Sequence, residues 1–187
     1  MELHKIAVKF FLERPEDPPT EYVIPVFHRW IREKLLGGIL IDVADYGHLP
    51  QSPGVLLVAH EANWALDASE GPVGLLYTRK QPLEGDLAAR IRACLQGALA
   101  ACARLEEDLS FTFSTGKALF LANDRLAAPN TDASFAALKP ALDAAFGALF
   151  GGAVKLVREG ADPRERLAVR VTSSDATPPA GLLARLS

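Results

Sequence analysis

The sequence predicts an α+β fold, a single-domain sandwich of a mostly antiparallel β-sheet with about three helices. Short apolar runs rich in Val, Ile, Leu and Phe recur at strand length. Three longer segments instead carry apolar residues at helical spacing. The two kinds do not alternate one for one: the order reads β-α-β-β-β, then α-β-β, then α-β-β, which does not suit a parallel α/β sheet. The two α-β-β units suggest an internal pseudo-repeat.

Each element has its own local cause. "KIAVKFFLE" (Lys5 to Glu13) mixes alternation with β-branched and aromatic residues and reads as the first strand. "RPEDPPT" cannot continue a ladder and forms a loop. Thr20 is a candidate cap for a helix over roughly Val23 to Leu36, and Gly37-Gly38 stop it. Two apolar runs, "ILIDVADY" and "GVLLVAHE", follow as strands around the loop "GHLPQSP", and "VGLLYTRK" is a fourth strand after the turn-prone "DASEGP". A long helix from about Asp86 to Glu107 presents Leu87, Ile91, Cys94, Leu95, Ala98, Leu99, Cys102 and Leu105 on one face. "LSFTFST" and "KALFLAND" read as a hairpin turning near Thr115-Gly116. A third helix runs from Thr131 to Leu149, kinked or split at Pro140. "AVKLVRE" and "ERLAVRVTS" close the sheet as a last strand pair, making residues 1–172 one domain and 173–187 a flexible tail.

Composition narrows the function classes. At 187 residues the chain is long enough for one real core, and 49% hydrophobic with 23% charged residues excludes wholesale disorder. A net charge of −3 with scattered Arg and Lys argues against a nucleic-acid partner. Cys94 and Cys102 lie eight residues apart on one helical pattern, about 12 Å along its axis, too far for a disulfide. The sequence therefore suits a reduced, cytoplasmic setting. The N-terminal apolar stretch is too short and interrupted for a signal sequence, and no run approaches the ~20 apolar residues of a membrane span. A soluble protein without a membrane partner is the expectation.

The first candidate site gathers His28, Asp42, Asp45, His48, His60 and Glu61. Histidine with carboxylates is the ligand set of many transition-metal sites, so His28, His48 and His60 are candidate metal ligands. "HEANW" lacks the second histidine of the HExxH zinc motif, because position 64 is Trp. On a strand His60 and Glu61 would also face opposite sides. Without metal, His60 or His48 could serve as a base oriented by Asp42, Asp45 or Glu61, in a small enzyme with water or substrate as nucleophile. No GxSxG elbow, phosphate-binding glycine loop or CxxC accompanies them, and the sequence leaves any cofactor unknown.

"ANDRLAAPNT" (122–131) is the second candidate. Asn130 or Thr131 caps the third helix, and Arg125 beside that helix N-terminus would hold a small anionic ligand. Trp64 is a further candidate ligand contact. The third feature is the tail, where "SSDATPP" precedes "AGLLARLS". This layout resembles the C-terminal targeting peptides of bacterial encapsulin cargo proteins over about eight residues. The resemblance implies a docking peptide anchored by Leu182, Leu183 and Leu186 in a partner's groove; packing on its own domain, or fraying, is the plainer alternative. With every testable catalytic signature absent or broken, the sequence favours a non-catalytic ligand-binding or protein-assembly domain, self-association included.

Overall fold

A computed structural model describes residues 2–14, 20–48, 52, 54–69 and 71–186. The expected proline-rich loop at 15–19, most of residues 49–53, and Glu70 in the "DASEGP" turn lie outside the described residues.

Eight strands form one antiparallel sheet, and with four helices they make the α+β class that the sequence predicts. The strands are β1 (Ile6–Leu12), β2 (Leu40–Asp45), β3 (Val55–Ala59), β4 (Ala62–Asp67), β5 (Gly74–Arg79), β6 (Phe113–Ala122), β7 (Lys155–Glu159) and β8 (Leu167–Thr172). Their order across the sheet is β2-β3-β4-β5-β1-β6-β8-β7. The helices are α1 (Thr20–Glu33), α2 (Leu87–Leu109), α3 (Asp132–Phe150) and α4 (Pro179–Arg185).

The period-2 alternation of strands sends side chains to two different layers. From β1, Ile6, Val8, Phe10 and Leu12 join the main core with Phe27 and Trp30 of α1, Leu95 and Leu99 of α2, Phe146 of α3 and Leu182 of α4. All four helices thus pack on one face. Ala7 and Phe11 of β1 point the other way and form a second cluster with Ala65, Leu76, Leu119 and Leu121. β1, flanked by β5 and β6, is buried along its whole length.

Caps fix the two long helices. Asp86 accepts the Ala89 N–H at 2.8 Å ahead of α2, and Thr131 accepts the Ser134 N–H at 3.2 Å ahead of α3. The apolar face predicted for α2 is the buried one, from Ile91 to Leu105. Pro140 does not split α3, which runs unbroken through it. By length and composition α3 could cross a membrane. Here Leu138, Leu142, Phe146 and Leu149 bury it in the core.

Three expectations are corrected. The strand expected over "GVLLVAHE" does not include His60 and Glu61: it stops at Ala59, and the chain through "VAHEANWALD" turns back on itself. This is a hairpin, β3 into β4, with Val58 opposite Asn63 and the turn at His60-Glu61. Neither turn residue has positive φ, so the glycine or asparagine that marks tight hairpins is missing. The hairpin expected at Thr115-Gly116 is one bulged strand, β6: Phe10 faces Ala118 while Phe11 faces Ser114. A Cβ on Gly116 would stand 3.0 Å from the carbonyl oxygens of Ser173 and Asp175, so glycine here admits a neighbouring segment. α2 is therefore followed by one strand, and the α-β-β pseudo-repeat is not present. Finally, the segment expected to be a flexible tail ends in α4, with Leu182 fully buried and Leu186 nearly so.

Candidate functional site

The helix-free face of the sheet opens into a cavity of about 490 Å³. Its floor is apolar: Leu121 of β6 and Ala168 of β8, which face each other in register. Its rim is charged. Arg125 comes from the turn after β6, Glu159 from the end of β7, and Arg164, Glu165 and Arg166 from the connection into β8. Ser69 closes one side, from the segment that follows β4.

The rim is organised by hydrogen bonds. Glu159 is held by a two-pronged contact with Arg170 of β8, Nη2 to Oε2 at 2.9 Å. Arg164 grips Asp162 through Nε at 3.0 Å and Nη2 at 2.7 Å, holding that carboxyl below its ordinary range. Arg166 donates to Asn123 Oδ1 at 2.7 Å, and burial lowers its guanidinium's pKa against the opposing charge of Asp67. Arg125 donates to the Arg164 carbonyl at 2.6 Å. No carboxylate lies at ion-pair distance from Arg125 among the described residues. Behind Ser69, Asp67 accepts from the Ser69 backbone N–H and hydroxyl and from Lys9 Nζ at 2.7 Å, with Lys9 and Asp67 fully buried.

Of the residues predicted for anion binding, Arg125 lines this cavity. Asn130 stands behind its wall, nearly buried: its amide donates to the Asp162 carbonyl at 3.1 Å and accepts from Arg158 at 3.0 Å, tying down the loop that carries Arg164. The α3 N-terminus contributes no lining residue. Thr131 occupies it as the cap, and Arg158 pairs with Asp132 there at 2.8 Å.

Glu61 and Trp64 line a second, smaller pocket of about 300 Å³, on the helix side of the sheet. Its other walls include Gly37 and Gly38 after α1, Tyr77 and Arg79 of β5, and Gly97 of α2. Trp64 donates its indole N–H to the Gly97 carbonyl at 2.9 Å and meets Tyr77 edge to face at 5.4 Å. Glu61 Oε2 accepts the Ile39 N–H at 3.0 Å, and that bond holds its carboxyl below the usual range. Burial raises the Tyr77 phenol, with Arg79 beside it opposing the shift. Tyr77, Arg79 and Gly97 carried no sequence signal: Tyr77 and Arg79 read as an ordinary strand, and Gly97 as one small residue within a helix.

The histidines do not converge. His28 is exposed on α1, and His48 is exposed in the turn that leaves β2. His60 is exposed in the turn at the opposite end of β3, roughly 15 Å away at ~3.3 Å per residue. Asp42 and Asp45 are exposed on β2. Among the described residues no three His, Cys, Asp or Glu side chains group as a metal site. Both cysteines are free and buried; burial pushes the Cys94 thiol up to about 12 and raises Cys102 well above its ordinary value, so neither is poised as a nucleophile.

Comparison with known proteins finds no matching family model, no matching curated relative and no matching solved structure.

Proposed function

We propose that the protein is a non-catalytic binding domain that takes a small anionic molecule in the arginine-rimmed cavity. One observation carries this reading: Arg125 is oriented by a neutral backbone carbonyl and has no carboxylate partner among the described residues. A guanidinium placed this way can turn its remaining N–H groups to an incoming carboxylate or phosphate. The apolar floor of Leu121 and Ala168 would take the ligand's carbon skeleton. The dispersal of His28, His48 and His60 supports a binding role over an enzymatic one. The two free cysteines support a reduced, cytoplasmic setting for a soluble protein.

Calorimetric titration with citrate and with inorganic phosphate tests the reading. The expected result is saturable binding of at least one of them that weakens about tenfold in Arg125→Gln, equivalent to ~1.4 kcal/mol. Absence of saturable binding by either probe, or equal affinity in Arg125→Gln, overturns it.

A further inference from the structure

The pocket at Glu61 and Arg79 shares no lining residue with the arginine cavity and carries its own chemistry. We infer that it is a second ligand site, built for a small zwitterion of the α-amino-acid type.

Two opposite charges face this pocket, each fixed by the backbone. Glu61 is held by the Ile39 N–H at 3.0 Å, and Arg79 Nε donates to the Gln81 carbonyl at 2.8 Å. They are close enough that Arg79 helps to lower the Glu61 carboxyl, yet no ion pair joins them. Among the described residues no other cation reaches Glu61, and no other carboxylate reaches Arg79, at ion-pair distance. A ligand of one sign would satisfy one of these groups and be repelled by the other. A ligand carrying an ammonium and a carboxylate on one carbon satisfies both.

The walls are shaped around that gap. Trp64 is pinned by the Gly97 carbonyl, and the Tyr77 ring packs so closely on α2 that a Cβ at Gly97 would come within 2.7 Å of it. A Cβ at Gly38 would stand 2.5 Å from Glu61 Oε2, whereas one at Gly37 would meet nothing within 4 Å. Glycine at 38 and 97 thus leaves room for the carboxylate and the aromatic pair, and the side at Gly37 is open. A volume of about 300 Å³ is at the small end for ligand pockets, which suits a compact amino acid.

The test is an amide and indole NMR titration of the full chain with L-valine, against isobutylamine and 3-methylbutanoate as single-charge analogues. Trp30 and Trp64 are the two tryptophans of the chain, and Trp30 donates elsewhere, to Asp108 at 2.7 Å. L-Valine should shift the Trp64 indole signal saturably and leave that of Trp30 in place, with both analogues at least tenfold weaker. Glu61→Gln keeps an acceptor for Ile39 and, like Arg79→Gln, should weaken binding at least tenfold. An unmoved Trp30 signal confirms that each variant is folded. Arg125→Gln should leave L-valine binding unchanged, which separates this site from the anion cavity. No saturable Trp64 shift, or equal binding of either analogue, overturns the inference.

Discussion

Lys9 of β1 and Asp67 of β4 are charged residues within the sheet, and both are fully buried. Burial pushes the Lys9 ammonium's pKa down, while the 2.7 Å contact with Asp67 holds its charge in place. Lys9 also lies 5.6 Å from the Phe11 ring centroid, and Arg170 lies 5.2 Å from the same ring. Removing either residue breaks a fully buried ion pair, at a cost of about 3–5 kcal/mol. Lys9→Met or Asp67→Leu alone should each lower stability by that order. The double variant should cost less than the sum of the two, with the Ser69 contacts to Asp67 and the Asp67 charge facing Arg166 among what is lost. Urea denaturation of the four proteins measures this, and additive losses would show that the pair is not coupled.

Among the elements, β2 is an open edge of the sheet, with Ile39, Ile41 and Tyr46 exposed on or beside it. A short strand, a register shift between Leu40 and Asp42, and the exposed carboxylates of Asp42 and Asp45 all discourage a second strand from pairing there. Asp42→Val should therefore promote self-association, seen as earlier elution in size-exclusion chromatography with an unchanged circular dichroism spectrum; an unaltered elution would show that the charge is not what protects the edge. The same physics governs what the sequence disclosed. α2 and α3 were legible because their apolar faces and caps, Asp86 and Thr131, are local properties. β4 was not, since "ANWALD" mixes polar and small residues and its turn lacks glycine; its strand character comes from pairing with β3 and β5. β6 reads as a hairpin in the sequence because Gly116 resembles a turn, whereas in the fold it admits residues 173–175. Arg125 was legible as a charge beside turn residues. The Glu61 pocket was only half legible, because Tyr77, Arg79 and Gly97 meet it through sheet register and helix packing.

For the molecule as a whole, the C-terminal segment closes the helical layer. Leu182 and Leu186, which would anchor a docking peptide, instead fill the core beside α2, and Gln96 donates to the Leu186 carbonyl at 2.6 Å. The approach to α4 is tied by Thr115 Oγ1 to the Thr177 carbonyl at 2.8 Å and by Asp175. The Asp175 carboxylate accepts from the Thr177 backbone N–H at 2.8 Å and pairs with Arg185. The Thr177 hydroxyl and Arg185, followed by that N–H, hold its pKa down at about 2, below the ordinary 3.8. A carboxyl whose pKa is lower in the folded state favours folding when ionised. Its contribution is complete above about pH 4 and is lost as the pH falls through about 2. Acidification from pH 5 to pH 2 should therefore release α4 ahead of the sheet. The Leu182 methyl signals should move toward random-coil positions while those of Ile6 and Val8 in β1 hold. Asp175→Asn should weaken α4 docking at neutral pH and remove the acid-dependent step. Simultaneous loss of Leu182 and β1 signals in the wild type, or an unchanged acid step in Asp175→Asn, would show that another group controls the docking of α4.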